Sequence, residues 1–100
     1  FKSNKEIHHV KLSNILYVNR DNFTEKTKIV TADNEYLVRE SLSSIVSRLD
    51  SKFYQTHRAC FVNIAKIKTV DFKNNIIYFT NGKTTDYLSR NYKKGLRKIL

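Results

Sequence analysis

The chain has 100 residues and a formal net charge of +10, from 19 Lys+Arg against 9 Asp+Glu. This length makes one domain with a modest core, and 12% aromatic residues with no proline exclude a disordered tail. One cysteine, Cys60, excludes an internal disulfide and a cysteine-based zinc framework.

The first half is nearly neutral. "EIHHV", residues 6–10, and "ILYVNR", 15–20, are strand-like. "DNFTEK", 21–26, is polar apart from Phe23 and reads as a loop. "TKIVT", 27–31, then Ala32-Asp33-Asn34, then "EYLVRE", 35–40, reads as a hairpin. "SLSSIVSRLD", 41–50, places Leu42, Ile45, Val46 and Leu49 on one helical face, with Ser41 as its cap.

The second half carries the charge. Residues 51–100 hold 11 basic and 2 acidic residues, against 8 and 7 in residues 1–50. "FYQTH", 53–57, is a short strand, and "KIKTVDF", 66–72, alternates polar and apolar. Lys73-Asn74-Asn75 turns into "IIYFT", 76–80. Asn81-Gly82 then predicts a type I′ hairpin, in which both central residues need φ > 0. "KTTDYL", 83–88, completes a three-stranded meander. "SRNYKKGLRKIL", 89–100, is a helix capped by Ser89, with Tyr92, Leu96 and Ile99 on its apolar face. The expected fold is mostly β, with about ten short, mainly antiparallel strands in packed sheets and two short helices.

Catalysis finds little support in these residues. Cys60 lies in the apolar run "ACFV" and reads as a small core residue rather than a nucleophile. The two glycines, Gly82 and Gly95, stand in a turn and a helix, so no phosphate loop exists. A metal site is short of ligands: His8 and His9 point to opposite faces of a strand, and His57 with Cys60 gives only two. Neither a cofactor nor a metal is expected.

A domain with one basic half should present a basic face, which steers and holds polyanions. Nucleic acid is the first reading of that face. A solvated surface, an anionic membrane and an acidic protein are the others. A DNA reader needs lysines and amides on phosphates and a few long side chains on base edges. Arg58, after the strand 53–57, and Arg90, opening the last helix, are the candidate base readers. Asn91, Lys93 and Lys94 are the candidate phosphate contacts beside Arg90, helped by the helix N-terminus. No RNA-recognition motif of the RNP type and no helix-turn-helix pair is visible, so a DNA reader of this kind uses strands and loops. A basic RNA-binding β domain remains the alternative, and a module for an acidic protein partner a third. No apolar run approaches the ~20 residues of a membrane span, nothing signals secretion, and the expected setting is the cytoplasm.

"FYQTHRACFVNIAKIKTVDF", residues 53–72, resembles the signature of the LytTR DNA-binding domain. "LSNILYV", 12–18, "LVRESLSSIVSRLDSKFYQTHR", 37–58, and "DYLSRNYKKGLRKIL", 86–100, resemble its flanking segments in order. The resemblance implies a mostly antiparallel β fold of about ten strands. It implies the output domain of a two-component response regulator, of the type that includes AgrA and VirR and controls quorum-sensing or virulence genes. An N-terminal receiver domain would then precede it, and the absence of methionine fits one domain of a longer protein. The partner implied is double-stranded DNA at tandem direct repeats, met by a domain that is a monomer alone and pairs on DNA.

By position, Arg58 and Arg90 stand at the family's base-reading residues. A third contact comes from the loop Asn22 to Lys28, with Lys26 and Lys28 as base candidates and Asn22 as a phosphate candidate. His57 reads as a packing or backbone-bonding residue rather than a base contact, and is also placed among the phosphate candidates. Asn63 is expected to cap the turn that follows. Thr56 and Thr85 occupy places where some members carry a redox-sensing cysteine pair, which puts that kind of switching in doubt here.

Overall fold

A computed structural model describes residues 1–3 and 6–100 of the chain. Ten strands are present among the described residues: β1 (Lys2–Ser3), β2 (Glu6–Ile7), β3 (Ile15–Arg20), β4 (Thr27–Thr31), β5 (Glu35–Val38), β6 (Phe53–His57), β7 (Cys60–Asn63), β8 (Ile67–Asp71), β9 (Ile76–Phe79) and β10 (Thr84–Thr85). Two α-helices accompany them, α1 (Leu42–Val46) and α2 (Arg90–Ile99).

The central sheet has five antiparallel strands in the order β5-β4-β3-β7-β6. β3 and β4 are buried along most of their length because both faces of this sheet are covered. On one face Val18, Ile29 and Val38 pack with Ile45 of α1. On the other, Tyr17, Val30, Cys60 and Val62 pack against Ile77 and Phe79 of β9, Leu88, and Leu96 of α2. Tyr17 stacks on Phe79 with ring centroids 5.4 Å apart. β-Branched and aromatic residues fill these two-sided strands because the pleated surface accommodates their stiff side chains. A break in register between Ile15 and Tyr17 lets Ile15 join one core and Leu16 the other.

The second sheet is the expected meander, in the order β10-β9-β8. Its last turn differs from the type I′ form. Within this turn only Gly82 has positive φ, at 91°. Gly82 N–H donates to the Phe79 carbonyl and Phe79 N–H to the Lys83 carbonyl. This is a tight turn followed by a left-handed glycine, the alternative three-residue hairpin loop. Asn81 uses its side chain instead, accepting from Lys83 N–H and donating to the Ala32 carbonyl.

Two further expectations change in length and a third in burial. Helix α1 spans five residues, not ten; Ser41 caps it by accepting from Ser44 N–H at 3.1 Å. Serines and β-branched residues sustain helix poorly, and the chain leaves through tighter turns at Arg48 and Leu49. The apolar set Leu42, Ile45, Val46 and Leu49 still packs on one core. The strand 6–10 ends at Ile7, after which His8 packs against the rings of Phe1 and Tyr36. In α2 only Leu96 is buried, and Ile99 is 48% exposed.

Gly95 faces the hydroxyl of Tyr54 on β6, where a Cβ would collide with that oxygen. Its lack of a side chain sets how close α2 lies to the central sheet. No described helix is long and apolar enough to cross a membrane.

Candidate nucleic-acid interface

Three segments meet at one end of the central sheet. β3 ends at Arg20 and β4 begins at Thr27, leaving the loop 21–26 between them. The β6–β7 turn lies beside that loop because β7 pairs with β3, and Arg20 N–H donates to the Ala59 carbonyl at 2.9 Å. The start of α2 is fixed to the same region, since Ser89 N–H donates to the Thr56 carbonyl at 2.9 Å. The Thr56 hydroxyl donates to the Tyr87 carbonyl at 2.7 Å. Thr56 is fully buried, so these bonds are shielded from water.

Arg58 is exposed in a two-residue turn between the paired residues His57 and Cys60. Side chains brace this turn from both sides. Ala59 N–H donates to His57 Nδ1 at 3.0 Å, and Gln55 Nε2 donates to the Arg58 carbonyl. His57 also meets the Tyr87 ring edge-on at 5.1 Å. The imidazole thus packs against Tyr87 and bonds to the backbone through Nδ1. Cys60 is wholly buried, and burial pushes its thiol up to about 12. Asn63 bonds at both ends of its amide, accepting from Ala65 N–H and donating to the Ile15 carbonyl. It caps the turn 64–66, as expected.

Arg90 is the exposed first residue of α2, with Asn91 and Lys94 exposed next to it. Ser89 occupies the cap position, but its hydroxyl makes no cap bond. Lys93 is placed differently from its neighbours. Its ammonium donates to the Phe72 carbonyl at 3.0 Å, tying the helix to the end of β8. Arg97 lies over the Phe72 ring at 4.4 Å.

The loop 21–26 is closed by its own side chains. The Asp21 carboxylate accepts from both the Thr24 N–H and the Thr24 hydroxyl, and these bonds hold its carboxyl below the usual range. Lys26 N–H donates to the Thr24 hydroxyl oxygen, and Asp21 N–H to the Lys26 carbonyl. Glu25 has φ 58°. Asn22 is exposed, and Lys26 is half-buried within the loop. Lys28 is a strand residue rather than a loop residue: it stands opposite Leu37, with its ammonium 3.9 Å from Glu35.

One residue not singled out in the sequence is Phe23, 97% exposed in the loop 21–26. Its signal was present as a lone aromatic in a polar segment. Arg20 was also missed. It lines, with Asn22, Gln55, Arg58 and the start of α1, a groove of about 760 Å³.

The chain matches the model of the LytTr DNA-binding domain over residues 5–100. It is 38% identical over 69 residues to an uncharacterized response regulatory protein of Vibrio cholerae, covering 66% of this chain and 26% of that protein. It is 32% identical over 89 residues to accessory gene regulator protein A of Staphylococcus epidermidis, and 33% to that of Staphylococcus aureus. Each of these two matches covers 82% of this chain and 37% of the relative. The chain thus spans between about a quarter and two fifths of the length of these curated relatives. A solved LytTr DNA-binding domain from Bacillus cereus superposes with a TM-score of 0.80 at 22% identity, covering 98% of this chain and 91% of that one. The chain belongs to the LytTr DNA-binding domain family.

Proposed function

We propose that this domain binds double-stranded DNA at specific sequences, as the output domain of a bacterial two-component response regulator. One observation carries the reading. Segments remote in sequence are tied by backbone hydrogen bonds to one end of a rigid sheet, and two of them carry the exposed arginines Arg58 and Arg90. Arginine is the side chain best suited to grip guanine O6 and N7 with two bonds. Asn91 and Lys94 next to Arg90 suit phosphate contacts that set register. Fixed loops of this kind can enter the major groove without a recognition helix.

The reading extends to tandem direct repeats, each taking one monomer, with pairing only on DNA. It also extends to a receiver domain in the full-length protein, to control of quorum-sensing or virulence genes, and to a cytoplasmic setting. The names of the staphylococcal relatives as accessory gene regulators support the regulatory part.

Selection from randomised duplex DNA at near-physiological salt tests the reading. Two short direct repeats, one or two helical turns apart, are the expected product. A pool with no enriched motif, or preference for single-stranded or A-form RNA over the duplex, would overturn it.

A further inference from the structure

We propose that Phe23 is a third base reader, and that it recognises the 5-methyl group of thymine in the major groove. The inference rests on the DNA-binding reading above and adds a residue and a base to it.

Phe23 is 97% exposed, on a loop whose shape is fixed by the Asp21 carboxylate, the Thr24 hydroxyl and the Asp21–Lys26 backbone bond. The loop therefore meets a partner with little ordering cost. It lies next to the turn that carries Arg58, because Arg20 and Ala59 are hydrogen-bonded. Its charges argue against a phosphate role. Asp21 and Glu25 flank Phe23, Arg20 lies 4.0 Å from Glu25, and Lys26, the one cation within the loop, is half-buried. A loop whose two carboxylates outnumber its one lysine gains little from a phosphate ridge. Its favourable contact in a duplex is on the base edges, where thymine offers the one apolar group of the major groove. Among the loop's described side chains, Phe23 is the apolar one that can meet it. Lys28, held near Glu35 on β4, does not serve the loop's tip.

The test uses the operator recovered by selection, with each thymine replaced in turn by deoxyuridine, which removes only the methyl group. Wild-type and Phe23→Ala proteins are titrated against each duplex, and circular dichroism checks that the variant is folded. Phe23→Ala should bind the unmodified operator roughly ten-fold more weakly. Replacement of one or two thymines should weaken wild type roughly four-fold and leave Phe23→Ala unaffected at the same positions. Phe23→Leu should restore part of the methyl sensitivity. Binding of Phe23→Ala equal to wild type overturns the proposal. So does a variant that binds weakly but keeps the same methyl sensitivity. A selection that returns no motif removes the DNA reading and this proposal together; a motif with no Phe23 effect removes this proposal alone.

Discussion

The Thr56 hydroxyl donates to the Tyr87 carbonyl at 2.7 Å, while the Thr56 carbonyl accepts from Ser89 N–H. One residue of β6 thus places the start of α2, and with it Arg90, relative to Arg58 two positions further along the chain. Thr56→Val preserves shape but leaves the Tyr87 carbonyl without its partner in a part-buried setting. We expect a loss of about 1–3 kcal/mol in urea unfolding and weaker cognate DNA binding. Thr56→Ser should keep most of both. Wild-type stability in Thr56→Val would show that the bond has no structural weight.

Arg58 and Arg90 should behave as base readers. Each substitution to alanine is expected to cost about 1–3 kcal/mol at the cognate site and to broaden the selected sequence. Arg90→Lys should not restore specificity, because a single ammonium lacks the two-pronged geometry of guanidinium. Equal losses on cognate and scrambled duplexes would instead assign these arginines to phosphates.

Lys93 and Lys94, adjacent in sequence, should separate in the binding assay. Lys94→Ala is expected to weaken all duplexes alike and to lower the slope of log K against log salt by about 1. Lys93→Ala removes a bond to the Phe72 carbonyl. Its main effect should be on stability, about 0.5–1.5 kcal/mol, with the salt slope nearly unchanged. Matching salt slopes for the two variants would return Lys93 to the phosphate role.

Alkaline pH should destabilise the fold. Burial raises Cys60 from its ordinary 9.0 to about 12 and Tyr17 from 10.0 to about 12. The unfolded chain releases these protons first, so above about pH 9 it binds fewer protons than the folded chain. Stability then falls as pH rises through 9 to 12. Cys60→Ala should flatten the early part of that decline in urea melts at stepped pH. The same burial predicts no alkylation of Cys60 by iodoacetamide in the folded protein at neutral pH, and rapid alkylation once it is unfolded. Rapid alkylation of the native domain would contradict the burial of this thiol.

Gly95→Ala should cost stability even though alanine is the better helix former. The added methyl meets the Tyr54 hydroxyl, and overpacking of this kind costs about 1–3 kcal/mol. Tyr54→Phe in the same chain removes the colliding oxygen and should recover part of the loss. A stabilised Gly95→Ala protein would mean that α2 can move outward freely.

The strands were legible where packing and local preference agree. "ILYVNR" and "TKIVT" coincide with β3 and β4 because their β-branched and aromatic residues suit a two-sided sheet. The Asn81-Gly82 turn was found in place but with the wrong geometry, since a glycine after a type I turn and a glycine inside a type I′ turn leave the same dipeptide. Arg58 and Arg90 were readable as exposed ends of elements. Lys93 was not separable from Lys94, because its partner is a backbone carbonyl 21 positions away. Phe23 was not singled out because nothing local says whether a lone loop aromatic folds inward or stands in water.

Phe23, Arg58 and Arg90 lie more than thirty residues apart in the chain, and each is mounted by its own bonds. The Asp21–Thr24 pair holds the first, His57 with Gln55 the second, and Thr56 the third. The sheet behaves as a socket board with three separate pins. Exchange of one exposed side chain leaves the other two mounts and both cores untouched. New operator preferences should therefore be reachable by single substitutions, one pin at a time, with little loss of foldability on the way.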